Sequence, residues 1–414
     1  MQVDVVLIWA ISVGSIVCML VRPRGIAEAY WVGAGAVLLV ATRLVPVRLA
    51  GHAVAEGLNV YLFLAGMMLL SELARTEGVF DWIAGIAAAR AKGSPKRLFG
   101  LIYVAGMVVT ALLSNDATAV VLTPAVLAVV RKAKVPPKPY LLACALIANA
   151  ASFVLPISNP ANLVIFARQM PPLGQWLRIF LLPSVAAVVI TFVCLRLLSA
   201  AELSGQVEEQ GEAIGLTLKG RLALGGLVVS GAVLLVASGL GWRLGLPTCA
   251  AALVALLVVG LRDRAAVGKV VKGVSWSVLP LVAGLFVVVQ ALEGAGMLRL
   301  AVRGLEDLTR DAGKVGDVAA AFSVGLLSNV MNNLPVGLAS GAAVQVAHVT
   351  GNLTNAVLIG VDLGPNLSVT GSLATILWLI VLRREQVEIT AWEFLKYGMV
   401  AMPLALLGSV LLLR

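Results

Sequence analysis

The sequence predicts an all-α membrane protein of about ten transmembrane helices in two inverted repeats, each with a re-entrant helical hairpin and a broken helix. Three observations predict this. Of 414 residues, 60% are hydrophobic and 13% charged, about half the charged share of a soluble domain, and apolar runs long enough to cross a bilayer recur along the chain. Two polar strings, Ser114-Asn115-Asp116-Ala117-Thr118 and Ser328-Asn329-Val330-Met331-Asn332-Asn333-Leu334-Pro335, interrupt such runs in corresponding places of the two halves. Short matches also recur in the same order in each half. Leu64-Ala65-Gly66 answers Val282-Ala283-Gly284, Glu77-Gly78 answers Glu293-Gly294, and Ser158-Asn159-Pro160 answers Gly364-Pro365-Asn366.

In chain order, spans are expected at 2–21, 27–45 and 57–76, an interrupted segment at 98–130, a second at 140–169 and a span at 174–198. Residues 2–21 lack a basic start and a small-residue cleavage signal, so they read as a retained helix. A polar stretch follows, carrying Glu202, Glu208, Glu209 and Glu212. The second half repeats the pattern at 220–240, 245–261, 274–294, 316–347 (interrupted), 353–382 (interrupted) and 390–413. The expected organisation is a first repeat over 1–199, a cytoplasmic linker over 200–216 and a second repeat over 217–414.

Charge sets the expected orientation. The segment 98–130 has Lys92, Lys96 and Arg97 before it and Arg131, Lys132, Lys134 and Lys138 after it. A simple crossing would put these seven basic residues on opposite faces, whereas a hairpin keeps them all on the cytoplasmic side. With both termini outside, 20 Lys and Arg fall inside and 10 outside, with Lys396 within the last span. Five crossings per half invert the second repeat, so its hairpin enters from outside, where Arg299, Arg303, Arg310 and Lys314 mix with Glu306, Asp307, Asp311 and Asp317.

Composition also excludes classes of function. The net charge of +10 sits in short loops between apolar spans, a positive-inside pattern and not a nucleic-acid-binding face. The four cysteines, Cys18, Cys144, Cys194 and Cys249, are scattered through apolar sequence, which supports neither a disulfide frame nor a zinc site. Only His52 and His348 are present, and the chain has no P-loop, no H-E-x-x-H and no G-x-S-x-G string, so ATP hydrolysis, metal catalysis and nucleophilic hydrolysis all lack their residues. No cofactor is expected.

Polar groups in hydrocarbon are costly unless satisfied, and paired interruptions in two inverted halves point to a solute site at mid-membrane. Asp116 is the sharpest candidate, because an intramembrane carboxyl is rare and usually functional; burial disfavours its charged form, which suits a proton carrier. Asn115, Asn159, Asn329 and Asn366 supply one amide per broken element. Amides donate and accept, which suits a neutral polyhydroxyl solute. Thr118, Asn149, Ser158, Ser328 and Asn333 are further candidates for solute contact, and Asp362 is a second candidate proton carrier. Pro124, Pro156, Pro160, Pro335 and Pro365 fall close to the breaks, where proline frees backbone carbonyls. Glu72, Glu77 and Glu293 lie near helix ends and read as interfacial.

The string S-N-D-A-T-A-V-V-L-T-P at 114–124 resembles the hairpin of ArsB-type arsenite efflux transporters, members of the ion transporter superfamily. The run V-D-L-G-P-N-L-S-V-T-G-S-L-A-T-I-L-W at 361–378 is similar to that family's second broken helix, and residues 157–164 and 328–335 fit the same pattern. The resemblance spans essentially the full chain. It implies export of arsenite and antimonite as neutral hydroxides in exchange for protons, a bacterial or archaeal cytoplasmic membrane, and an option to dock a soluble arsenite-stimulated ATPase subunit. It also implies an aspartate where Asn149 stands and a lysine where Asn366 stands. This chain has lost both charges together, which preserves local neutrality. The competing reading is a sodium-coupled dicarboxylate or sodium/proton carrier of the same superfamily, whose dicarboxylate members favour Ser-Asn-Thr at both tips; here an added Asp116 would repel a dianion.

Overall fold

The computed structural model describes residues 2–166, 170–205, 215–309, 313–346 and 352–413. Glu208, Glu209 and Glu212 of the linker, Arg310 and Asp311 of the second hairpin's flank, and His348 lie outside them. The described elements are all helical. The first half runs α1 (Gln2–Val21), α2 (Glu28–Ala41), α3 (Val47–Glu56), α4 (Leu58–Thr76), α5 (Val79–Ala91), α6 (Pro95–Leu112), a π-helical stretch (Ala117–Leu122) leading into α7 (Thr123–Lys132), α8 (Lys138–Ala150), α9 (Pro160–Ile165) and α10 (Leu173–Leu198). The second runs α11 (Leu218–Gly239), α12 (Gly245–Gly260), α13 (Arg264–Gly273), α14 (Val278–Gly294), α15 (Met297–Thr309), α16 (Lys314–Met331), α17 (Asn333–Val346), α18 (Asn352–Leu363), a 3₁₀ turn (Gly364–Asn366), α19 (Leu373–Arg384) and α20 (Ala391–Leu411). Among the described residues seven helical segments are long and apolar enough to cross a membrane, and α2 and α12 are shorter apolar helices.

The two halves match element for element, and their packing obeys the same exchange. Helix α4 packs on α12 and α14 packs on α2; α6 packs on α8 and α16 on α18. Helix α17 packs on α9, the π-helical stretch packs on α19, and α10 packs on its own counterpart α20. Each of these contacts becomes another of the set when the halves are swapped. The heaviest packing falls into two groups, one of α1, α2, α4, α11, α12 and α14, the other of the hairpins, the broken helices, α10 and α20.

The paired Leu-Ala-Gly and Val-Ala-Gly strings now have a physical reason. A Cβ on Gly66 would lie 2.7 Å from the Thr248 carbonyl carbon of α12, and one on Gly284 would lie 3.0 Å from Cγ1 and 3.3 Å from backbone atoms of Val32 on α2. Each glycine is where one half's helix touches the other half's backbone, the close approach that small residues permit in membranes.

Four short helices escape the hydropathy reading. Helices α3, α5, α13 and α15 fill segments expected to be loops. In α3 only Ala50 and Ala53 are buried, and in α13 only Ala266 and Val270, so each buries one narrow face. Asp263 caps α13, accepting from the amides of Ala265 and Ala266 and pairing with Lys219 Nζ at 2.5 Å. These bonds, Lys219 first, hold the Asp263 carboxyl below its ordinary range.

The structure corrects two alignments of the halves. The second hairpin does not turn at Ser328-Asn329, which sit in the last turns of α16, but at Asn332, whose φ is 74°. Asparagine tolerates this left-handed conformation, and its Oδ1 then accepts from Leu334 N at 3.3 Å to start α17. In the first half the turn lies at Leu113-Ser114, so Asn115 corresponds to Asn333. Likewise Ser158-Asn159 corresponds to Gly371-Ser372, not to Gly364-Pro365-Asn366. In each half the hairpin's second arm begins by donating a backbone bond to the break: Asn115 N to Ser158 O at 3.0 Å, and Asn333 N to Gly371 O at 2.8 Å. Asn159 and Ser372 then cap α9 and α19.

The close approach predicts a stability difference. Gly66→Ala forces α4 away from α12 and is expected to cost about 1–3 kcal/mol, as other overpacked sites do, whereas Gly231→Ala, with nothing within 4 Å of its Cβ, leaves stability unchanged. Thermal unfolding of the two variants in detergent checks this; equal melting temperatures would show that the helices do not meet at Gly66.

Candidate functional site

The site forms where the two broken helices cross. Helix α8 ends at Ala150 and α9 restarts at Pro160; α18 ends at Leu363 and α19 restarts at Leu373. Backbone freed at such breaks must be satisfied by protein. In the first half Asn162 Nδ2 donates to Ser152 O at 2.9 Å, and Trp176 Nε1 donates to Phe153 O at 3.1 Å. In the second half Asn329 performs this task, its Nδ2 donating to Gly364 O at 2.9 Å, its Oδ1 accepting from Ser368 at 2.7 Å, and its carbonyl accepting from Thr370 at 2.9 Å.

Two side-chain bonds then lock the halves together. Asn149 Nδ2 donates to Asn366 Oδ1 at 3.0 Å, while Asn366 Nδ2 donates to Leu146 O at 3.0 Å. Asn159 Nδ2 donates to Asp362 Oδ1 at 2.7 Å, and Asn159 Oδ1 accepts from Ala161 N as the cap of α9. Counting along each break from the matched Ser158 and Gly371, Asn149 and Asp362 occupy equivalent positions. The two residues expected to be oppositely charged in ArsB-type carriers are thus direct partners here, joined as neutral amides.

The centre has an excess of acceptors. Asn149, Asp362 and Asn366 are fully buried and Asn115 and Asn159 nearly so. Asn115 Oδ1, Asn149 Oδ1, Asn162 Oδ1 and Asp362 Oδ2 have no hydrogen-bond partner. The segments that build the hairpins and breaks, 106–123, 141–166, 324–346 and 353–382, contain no Lys, Arg or His and only two carboxyls, Asp116 and Asp362. Asp116 follows Asn115 in the first turn of the hairpin's second arm; it is half-buried, and no described residue pairs with its carboxylate. Among the described residues no cluster of His, Cys, Asp and Glu is fit to hold a metal.

Other expected contact residues turn inward on the fold. Thr118 Oγ1 is shared with Thr110 Oγ1 at 2.7 Å and bonds Gly106 O at 3.2 Å, pinning the two arms of the hairpin. Ser158 Oγ donates to Ala111 O at 3.1 Å, and Ser328 Oγ donates to Val324 O within its own helix. Asn329 spends its amide on the second break. Asn333 is buried at the start of α17, beside the turn at Asn332. Sequence reading missed Ser372, whose signal was a serine three residues before Thr375 at the start of a helical pattern, and it named Asn332 as a lesser candidate without reading it as the turn three residues before Pro335.

The amide pair makes a specific prediction. Asn149→Asp or Asn366→Lys alone buries an unpaired charge, expected to cost about 3–5 kcal/mol, while the double variant places the charges within reach and recovers at least about 1 kcal/mol of coupling. A double-mutant cycle on detergent melting temperatures measures it; strict additivity would show that the two side chains do not meet.

The comparisons with known proteins agree with this architecture. The chain is 28% identical over 411 residues, 94% of each chain, to the arsenical pump membrane protein of Escherichia coli. It is 27% identical over 373 residues, 86% of each chain, to an uncharacterized transporter of Mycobacterium tuberculosis. The crystal structure of the Alcanivorax borkumensis YdaH transporter, described as having an unusual topology, superposes with a TM-score of 0.56 at 16% identity, covering 87% of this chain and 86% of that one; this likeness bears on the fold. A family model described as "Citrate transporter" matches residues 16–361. With helices of membrane-crossing length, broken elements and this match in hand, the chain is an integral membrane transporter and belongs to the CitMHS citrate-transporter family.

Proposed function

We propose that the protein exports trivalent arsenic and antimony as the neutral hydroxides As(OH)₃ and Sb(OH)₃ in exchange for protons, conferring metalloid resistance. One observation carries this choice of substrate: a buried polar centre rich in unpartnered acceptor oxygens and free of cationic side chains. A neutral trihydroxide brings three O–H donors to such a centre, while a di- or tricarboxylate brings more acceptors and negative charge toward Asp116 and Asp362. The arsenical pump relative supports the same reading. The ligands are oxygens and amides, not the thiolates that hold As(III) tightly; Cys144 is the one cysteine near a break, and it lies buried in α8. Weak contacts favour rapid release, as export needs.

In this mechanism Asn115, Asn149, Asn159, Asn333 and Asn366 surround the solute as the broken elements separate. Asp116 takes up a proton from outside when the site is empty and yields it inside, and Asp362 is the second carboxyl available for coupling. The hairpins, broken helices, α10 and α20 move as one unit against the scaffold of α1, α2, α4, α11, α12 and α14. Both termini lie outside, the second repeat is inverted relative to the first, and the 200–216 linker is cytoplasmic. A soluble arsenite-stimulated ATPase docks, where the cell has one, on that cytoplasmic face.

The citrate-transporter family match makes carboxylate transport the specific rival. Everted vesicles energised by respiration separate the two. Arsenite accumulation that collapses with a protonophore supports the proposal; sodium-dependent citrate uptake with no arsenite accumulation, in vesicles that contain the protein, overturns it. Asp116→Asn is expected to lower arsenite accumulation to the protonophore-treated level while leaving arsenite–arsenite exchange intact. Full proton-driven accumulation in this variant would remove Asp116 from the coupling step.

A further inference from the structure

A cavity of about 1710 Å³ lies away from the crossed breaks. It exceeds the roughly 300–1,000 Å³ of a small-molecule site and is far larger than a trihydroxide needs. None of the amides or carboxyls at the crossed breaks lines it. One wall belongs to the scaffold helices α4, α11, α12 and α14; the other is formed by Leu163 and Val164 of α9 and by Leu338, Ala342, Gln345 and Val346 of α17. From Arg221 to Trp242 it follows α11 and the turn beyond for 21 residues, roughly 31 Å of helical rise, close to the roughly 30 Å hydrocarbon thickness of a bilayer. The apolar lining of this length includes Val229, Val233, Val254 and Val258, which are exposed along α11 and α12.

Arg221 marks one end of this crevice, Ser230 and Gln345 also line it, and the carboxylates gather at the other end. Glu56, Asn59, Arg243, Gln290 and Glu293 all line it there. They are held to one level by the Asn59 side chain, whose Oδ1 accepts from Gly245 N at 2.8 Å and so ties the start of α4 to the start of α12. Helix α3, which ends at Glu56, packs on α14, whose last turn carries Glu293. The only described partners of these two carboxylates are weak ones, His52 Nδ1 at 3.6 Å from Glu56 and Gln290 Nε2 at 3.4 Å from Glu293. Arg243 is exposed, and no described carboxylate pairs with it. Two carboxylates with only weak described partners and a guanidinium with no described carboxylate therefore share the mouth of an apolar crevice of membrane depth.

We propose that this crevice holds a phospholipid of the phosphatidylethanolamine class, its ammonium between Glu56 and Glu293, its phosphate at Arg243, and its acyl chains along α11 and α12. Charge complementarity selects this occupant. A purely anionic lipid would satisfy Arg243 but bring no cation to the carboxylates. A second copy of the chain would bring its own Arg243 and carboxylates to the same mouth, where like charges meet unless the two copies are offset. Because the crevice walls come from both packing groups, the bound lipid bridges them.

The purified, delipidated protein in detergent tests this with three lipids of identical acyl chains: phosphatidylethanolamine, phosphatidylcholine and phosphatidylglycerol. Phosphatidylethanolamine is expected to raise the melting temperature by about 5 °C, the scale of a ligand at 100-fold its Kd. The trimethylated choline headgroup, with no N–H donor, gives less, and phosphatidylglycerol least. The double variant Glu56→Gln/Glu293→Gln abolishes the preference of phosphatidylethanolamine over phosphatidylglycerol, and Arg243→Gln weakens all three. Equal shifts from the three lipids would reduce the crevice to an unselective acyl-chain filler and overturn the proposal. Native mass spectrometry of the unmutated protein provides the independent reading: a retained ethanolamine lipid on the monomer supports it, and a lipid-free dimer overturns it.

Discussion

Backbone that leaves a helix inside hydrocarbon must find its hydrogen bonds in the protein, because no water is there to supply them. This constraint organises the centre of the molecule. Two helices break, and each break, 151–159 and 364–372, exposes carbonyls and amides. The first break is closed by Asn162, Trp176 and the backbone of Asn115. The second is closed by Asn329, Ser368, Thr370 and the backbone of Asn333. The hairpins are therefore part of what makes the breaks affordable, and a hairpin arm and its broken helix form one structural unit in each half.

The same constraint separates polar residues whose bonding capacity is used by the fold from those that keep some unused. Thr118, Ser158, Ser328 and Asn329 have their hydrogen-bonding capacity taken by backbone and by neighbouring hydroxyls. Asn115, Asn149 and Asp362 each keep an oxygen with no donor. An unpaired buried acceptor costs about 1–3 kcal/mol, and these oxygens are the ones the proposed solute would satisfy. The distinction is invisible in the residue names, since asparagine appears in both groups.

The sequence made the spans, the duplication and the first hairpin legible because each rests on a strong physical signal. Apolar length reports the spans, basic flanks report the hairpin's two ends on one face, and repeated Leu-Ala-Gly and Val-Ala-Gly report the close helix contacts at Gly66 and Gly284. The equivalence of the two polar strings was not legible in the same way. Matching Ser-Asn to Ser-Asn aligns letters, whereas the chain turns where a residue accepts positive φ, and Asn332 does so one turn later. Helices α3, α13 and α15 were missed because 10–13 residues with much polar surface leave little average hydropathy to detect, and α5 because it is apolar but too short to read as a span. Which amide reaches which partner across 203 or 217 residues of sequence separation is a property of the packed halves alone.

The neutral pair of Asn149 and Asn366 bears on how such a carrier can change charge without losing its fold. In a low-dielectric centre, deleting one partner of an ion pair strands the other, while exchanging both for groups that still bond is nearly free. The 3.0 Å amide contact is a pair that bonds without charge: it keeps α8 tied to the second break with no fixed cation or anion in the pair. What then remains is Asp362, equivalent to Asn149 through the duplication, bonded on one oxygen to Asn159 and unpaired on the other. The duplicated fold thus carries one amide and one carboxyl at its two equivalent crossing points, and Asp116 at the first hairpin is the other carboxyl of the hairpins and breaks. Asp362 sits within the lock between the halves and Asp116 stands outside it, so the proposed mechanism gives the two carboxyls different places: one where the halves meet, the other at the hairpin.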